Sequence, residues 1–258
     1  MPYVELPGVN LWFEDLGGTG TPILFLHAAS GTYKSWEHQI PEFTQAGYRC
    51  VTYDRRGWGS SQPETTGEQP GHGSTDLHGL VRHLGLDHFH IVATAAGGIV
   101  ALDYTLEYPD EVLSLVVANS IGGVQDPGYL EIQHRLRPSE IQALPIELRE
   151  LGPSYRGLNP EGTRRWMEIE RSSRIGDTHG PAQPTRYPIT YTRLESMAIP
   201  VLVLVGEADL LSPPILMRML AEHIPGSNLA TIGEAGHAAF WERPETCNSL
   251  VLDFIGQH

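Results

Sequence analysis

Short apolar runs rich in β-branched residues alternate with amphipathic segments over the first half of the chain. Pro22 to His27, Arg49 to Asp54, Phe89 to Ala93 and Val112 to Asn119 read as strands. Between them, Trp36 to Gln45, Ser74 to Leu84 and Gly97 to Tyr108 read as helices. That alternation predicts βαβ units and a mostly parallel sheet with helices on its faces. Ahead of it, Val4 to Leu6 and Leu11 to Asp15 are separated by Pro7, Gly8 and Asn10, which predicts an antiparallel hairpin at the sheet edge. The rhythm stops after Asn119 and resumes at Val201. In between, Leu130 to Leu136, Ser139 to Leu151 and Pro160 to Arg174 have helical spacing, and a stretch through Pro181, Pro184 and Pro188 is irregular. This predicts a core in two parts, 1–120 and 199–258, interrupted by a helical cap at 121–198. The second part contributes a strand at Val201 to Gly206, a helix at Pro213 to His223, a strand at Asn228 to Ile232 and a last helix at Pro244 to Ile255. No internal repeat or low-complexity tract is present.

Charge and composition narrow the classes of partner. With 258 residues, a formal net charge of −14 and a pI near 5.2, the chain has no broad positive field for nucleic acid or an anionic membrane surface. A small-molecule substrate is expected, and a homo-oligomer is left open. The two cysteines, Cys50 and Cys247, neither staple a secreted fold nor form a metal knuckle, and are read as buried, inert thiols of a cytoplasmic protein. The first fifteen residues lack a basic segment followed by an apolar one, and no run is long enough to span a membrane. None of the twelve histidines is paired in an HxxxH or HExxH pattern, so neither a metal nor a cofactor is expected.

The candidate chemistry lies where strands end. Ile91 to Val100 passes from a buried strand through the small residues Ala93, Thr94, Ala95, Ala96 and Gly97 into a helix, the form of a nucleophile elbow with Ala95 at its strained centre. An ordinary alanine- and glycine-rich junction would look the same. Two further segments decide between them. Gly206-Glu207-Ala208-Asp209 places a carboxylate just beyond a buried strand, and Gly233 to His237 places an imidazole on a glycine-flanked loop after the last strand. The order 95, 209, 237 is nucleophile position, acid, base. Asp209 as a helix cap and His237 as a loop histidine would each be ordinary, but their joint placement favours a triad.

On these segments the sequence resembles the α/β-hydrolase family, over nearly the whole chain except the cap. Phe25-Leu26-His27 followed by small residues is similar to the family's oxyanion turn. Tyr53 to Pro63 is similar to the fourth-strand loop of its cofactor-free haloperoxidase and esterase branch. The resemblance implies an α/β-hydrolase fold: a mostly parallel eight-stranded sheet, flanking helices and a helical cap. It also implies that His237, oriented by Asp209, would activate a residue at 95, with the backbone N–H groups of Ala29 and Ala96 as the oxyanion hole. Two positions depart from the pattern. Ala28 replaces the usual glycine after His27, and Ala95 replaces the residue that would attack. An intact acid, base and small-residue frame favours a Ser→Ala substitution that keeps geometry and removes attack. A natural pseudo-enzyme would tend to relieve the strained position, most simply to glycine.

The expected activity is hydrolysis of a carboxylic ester or lactone in the serine form, with this chain inactive or nearly so. The alternatives are a carbon–carbon bond hydrolase of ring-cleavage products, a ligand receptor on the same scaffold, or a cofactor-free dioxygenase, which keeps the His–Asp pair. Haloalkane dehalogenase and epoxide hydrolase branches need aspartate at 95 and are disfavoured. Apolar cap residues between Leu136 and Met167 are mainly read as cap core, with part of their face lining a pocket. His27, Ala28, Trp166, Phe240 and Trp241 are the expected pocket residues, which implies an apolar or aromatic substrate. Arg164, Arg165, Arg171 and Arg174 are read mainly as a solvated face, with a carboxylate contact as the lesser reading.

Overall fold

The computed structural model describes residues 2–64 and 69–258, so Met1 and residues 65–68 of the predicted first core segment lie outside the described residues. The strands are β1 (Tyr3–Leu6), β2 (Val9–Asp15), β3 (Pro22–Leu26), β4 (Arg49–Tyr53), β5 (Gln62–Pro63), β6 (Phe89–Thr94), β7 (Val112–Ala118), β8 (Val201–Gly206) and β9 (Asn228–Ile232). Eight of them form one sheet in the order β1-β2-β4-β3-β6-β7-β8-β9, and the two-residue β5 adds a ninth by pairing with β2. From β4 onward every neighbouring pair on that path is parallel. The hairpin of β1 and β2 pairs Leu6 with Val9 across Pro7 and Gly8, and Gly8 supplies the positive φ of 79° that the tight turn requires.

The helices are α1 (Ile40–Gln45), α2 (Gly73–Leu84), α3 (Ala96–Glu107), α4 (Pro127–Leu136), α5 (Ser139–Ala143), α6 (Ile146–Glu150), α7 (Pro153–Leu158), α8 (Pro160–Ser172), α9 (Tyr191–Leu194), α10 (Pro214–Glu222), α11 (Ala239–Glu242) and α12 (Pro244–Ile255). Both faces of the sheet are covered, which is why β6 and β8 are buried at every position and read as unbroken apolar runs. Alternate residues feed two cores. Leu24, Ile91, Leu115 and Val203 face α2, α3 and α10, while Phe25, Val92, Val116 and Leu202 face α1, α11 and α12.

Two helical expectations need correction and one helix was not expected, and proline explains each. Trp36 to Gln45 is a 3₁₀ turn, Tyr33–Trp36, followed by the short α1, because Pro41 suits only a helix start. Ser139 to Leu151 is split into α5 and α6, since Leu144 before Pro145 is held extended at ψ 149°. The interruption at Gly152 is followed by α7, which begins on Pro153 and was not expected.

Between β7 and β8 the chain runs through α4 to α9. Its apolar residues do not form one buried face: Leu144, Leu148 and Leu158 are exposed, whereas Leu151 and Trp166 are buried. The Trp166 ring lies 5.9 Å from that of Phe240 and 5.4 Å from that of Trp241, inside the second core. Trp166→Ala is therefore expected to lower unfolding free energy by about 3–5 kcal/mol in urea titration. A loss below about 1 kcal/mol would be out of place for a core tryptophan.

Candidate active site

The elbow follows from β6 running directly into α3. Ala95 sits between them at φ 50° and ψ −117°, a conformation that a side-chain-bearing residue keeps only when its surroundings over-determine it. Those surroundings are specific. Ala95 N–H donates to Ala118 O at 2.9 Å, and Ala95 O accepts from Gly98 N–H at 3.0 Å and from the Ser120 hydroxyl at 2.6 Å. Ala96 opens α3, so its N–H has no acceptor within the helix and is free to point at a ligand. On the other side, the Trp58 indole N–H donates to Ala29 O at 2.6 Å and fixes the turn after β3.

Asp209 lies just past β8 and is buried. One carboxylate oxygen accepts the N–H groups of Leu211 and Ser212, both at 2.8 Å, and the other accepts the Asn119 side-chain amide at 2.8 Å. His237 Nδ1 is 3.0 Å from both oxygens. Capping the following turn and holding the imidazole are thus one arrangement. Asn119, at φ 47° after β7, was missed in the sequence, where it looks like an ordinary strand end. The loop bearing His237 is held from behind by Glu242, whose carboxylate accepts the N–H groups of Gly236 and Gly152, each at 2.9 Å. Burial pushes the Glu242 carboxyl up to about 7, against the opposing pull of those two bonds.

A cavity opens at the C-terminal ends of the strands. Ala28, Ala29 and Ser30 of the β3 turn, Ala95 and Ala96 of the elbow, and His237 line one part of it. Leu211, Ser212 and Ile121 continue the wall, and Arg137, Gln142, Arg149 and Glu150 complete it from the segment between β7 and β8. The arrangement places an imidazole oriented by a carboxylate, a strained small residue and the first N–H of a helix around one space.

A sequence profile of the alpha/beta hydrolase family matches residues 23–250. The chain belongs to this family. Among curated relatives, it is 29% identical over 262 residues to BpoC of Mycobacterium tuberculosis, named for a non-heme bromoperoxidase activity, covering 96% of this chain and 98% of that one. A solved esterase from Thermogutta terrifontis superposes with a TM-score of 0.79 at 26% identity, covering 99% of this chain and 97% of the esterase. The structure of an N-acyl homoserine lactone degrading enzyme gives 0.78 at 26% identity, covering 98% of this chain and all of the other. These likenesses place the chain in the cofactor-free haloperoxidase and esterase branch.

Within this alpha/beta hydrolase the predicted site residues divide. Ala28, Ala29, Ala95, Ala96 and His237 border the cavity, with Asp209 directly behind His237. His27, Trp166, Phe240 and Trp241, expected to line the pocket, do not. His27 braces the β3 turn instead: its Nδ1 is 2.6 Å from Ala28 O, its Nε2 accepts Arg55 N–H at 2.9 Å, and burial keeps it neutral, well below its usual range. In the core the Trp166 ring meets Phe240 edge-on and Trp241 at a tilt, and burying this area outweighs exposing it to a cavity. The cavity wall from the core is largely apolar, with Ala28, Ala29, Ala95, Ala96, Ile99 and Leu211, whereas the inserted segment adds mostly polar or charged residues beside Ile121. Arg165 pairs with Glu37 at 2.7 Å and Arg174 pairs with Glu170, so both lie outside the cavity in ion pairs. Both cysteines are buried and free, and burial pushes Cys247 up to about 12.

Electrostatics prepare His237 to bind a proton. Burial disfavours the imidazolium, but the Asp209 charge and hydrogen bond outweigh it and raise His237 above 6.5. Burial acts on Asp209 in the opposite sense and is likewise outweighed, chiefly by His237 and then by Asn119 and the Ser212 N–H, so that its carboxyl is held below 3.8. A serine at 95 would need neutral His237 as base, and that form is lost as pH falls through the raised value. The acid limb of kcat/KM for an Ala95→Ser variant is therefore expected to inflect above pH 6.5, measured with an uncharged ester. An inflection below 6.5 would show that Asp209 does not support the imidazolium.

Proposed function

We propose that this chain carries the site of a serine-type hydrolase of carboxylic esters or lactones from which only the attacking atom is missing. The observation that carries this reading is the convergence on one cavity of His237, held by Asp209 at 3.0 Å, and Ala95 in the strained elbow geometry. With serine at 95, His237 Nε2 would take the hydroxyl proton as Oγ attacks the carbonyl carbon. The N–H groups of Ala29 and Ala96 would hold the oxyanion, and the acyl-enzyme would pass to water activated by the same imidazole. Asp209 keeps Nδ1 protonated and stabilises the imidazolium; Asn119 and the two turn N–H groups keep Asp209 in place. With alanine at 95 no acyl-enzyme forms, and the site binds substrate without turnover. The segment 121–198 serves in this reading as the cap that supplies substrate contacts. The reading is tested by restoring the hydroxyl: p-nitrophenol release from short acyl esters by Ala95→Ser, compared with the parent chain and with a ring-cleavage dienoate as the carbon–carbon substrate.

A further inference from the structure

Two guanidinium groups border the cavity beside Ala95 in a chain whose formal net charge is −14. Arg137 follows the last turn of α4, and Arg149 lies in α6. Several arginines elsewhere have counterions: Arg49 with Asp15, Arg56 with Asp76, Arg165 with Glu37, and Arg243 with Glu234. Among the described residues neither of these two forms an ion pair, although the Asp209 charge acts on Arg137 and the Arg149 charge acts on Glu150. No described residue makes a side-chain hydrogen bond or an ion pair with Arg137, and its Nε is buried without a partner. Arg149 donates through Nη1 to Gln142 O at 2.9 Å and Gln142 Oε1 at 3.3 Å, which orients the guanidinium, yet its Nε is also buried and unpartnered.

Taking a guanidinium partly out of water without a partner is costly, and a ligand anion is one way to satisfy it. The protein's own carboxylates near the cavity do not fill the role. Asp209 is committed to His237, Asn119 and two backbone N–H groups. Glu150 borders the same cavity but forms no ion pair with either arginine; burial is the main influence on its carboxyl and moves it toward the neutral form, against the opposing charges of His237 and Arg149. A planar fork of donors with unused positions matches a carboxylate, which accepts two parallel N–H bonds.

We infer that Arg137 and Arg149 form a carboxylate subsite beside the Ala95–His237 pair, so that the site takes esters or lactones carrying a free carboxylate, a half-ester of a dicarboxylic acid being the simplest case. The inference rests on the hydrolase reading for the word ester, but its test does not require turnover. Because the present chain lacks the nucleophile, calorimetric titration with monoethyl adipate and diethyl adipate reads binding alone. The half-ester is expected to bind about tenfold or more tightly than the diester, and Arg137→Gln and Arg149→Gln are each expected to remove about that factor for the half-ester only. Arg165→Gln, which removes an ion pair outside the cavity, is expected to change neither. If Arg137→Gln melts at a lower temperature than the parent chain, Arg149→Gln carries the comparison.

Equal binding of the two ligands, absence of half-ester binding, or indifference of both variants overturns the subsite. Ala95→Ser turnover separates the two readings. Hydrolysis of neutral esters without half-ester preference removes the subsite and leaves the hydrolase. Arginine-dependent half-ester binding beside an inactive serine variant does the reverse.

Discussion

Ala95→Ser is expected to release p-nitrophenol from acetate and butyrate esters about 10⁴-fold or more faster than the parent chain, and His237→Ala in that background is expected to return the rate to the parent level. The size follows from what is missing. Loss of one member of an acting triad leaves rates lower by about 10⁴ to 10⁶, because residues that act as a unit fail together. In the proposed triad the other two members already lie together: Nδ1 of His237 is 3.0 Å from both Asp209 oxygens, and the elbow backbone is held by Ala118, Ser120 and Gly98. A serine at 95 needs no new backbone conformation, since the strained φ of 50° is present with alanine. Its added hydroxyl faces a cavity wall shared with His237. Recovery on esters supports the proposed activity, and recovery only on a ring-cleavage dienoate would move it to carbon–carbon hydrolysis. A folded variant inactive on both would show that the oxyanion N–H groups or the water path required for deacylation are not in place.

The sheet was legible because parallel strands buried on both faces must be apolar throughout, and Phe89–Thr94 and Val201–Gly206 are. Asp209 and His237 were legible because strand ends in such sheets are where polar groups can meet a shared crevice. The pocket was not, for a physical reason. Trp166, Phe240 and Trp241 drew attention by size and by proximity to His237 in sequence, yet large rings are the residues whose burial is most favourable, and they packed on one another. Arg137 and Arg149 drew none, because a single arginine at the end of a short helix has the same pattern whether it faces solvent or a cavity. Only the path of the chain between β7 and β8, interrupted at Pro138, Pro145 and Gly152, turns them toward Ala95. The ninth strand, two residues long, is below the length at which alternation carries any signal.

Gly97→Ala is expected to destabilise the chain by about 3 kcal/mol or more, or to prevent folding, although helix propensity alone predicts the opposite sign. Gly97 lies in the first turn of α3 with ordinary helical backbone, where alanine in place of glycine would stabilise by about 1 kcal/mol. Against that, a Cβ at 97 would stand 2.3 Å from Leu26 O, 2.7 Å from Leu26 C and 2.8 Å from His27 O. These are backbone atoms of β3 and of the turn after it, and they cannot move aside as a side-chain tip would. Leu26 is paired through the sheet with Ala93 of β6, and His27 is held by the Ala28 carbonyl and the Arg55 N–H. Overpacking a fixed core costs about 1–3 kcal/mol even where side chains can yield, so a clash confined to backbone lies at or beyond the upper end and outweighs the propensity gain. The consequence reaches the site as well as the fold. Relief of the clash must separate α3 from the turn bearing Ala28 and Ala29, which moves the Ala96 and Ala29 N–H groups apart. Urea denaturation of Gly97→Ala gives the stability change directly. Where the variant folds, introducing it beside Ala95→Ser is expected to lower ester turnover about 10²-fold or more, the scale of losing one oxyanion donor. A Gly97→Ala protein as stable as its parent would mean that the elbow does not press against β3 in this way, and the tight turn would then have no packing reason to exclude a side chain at 97.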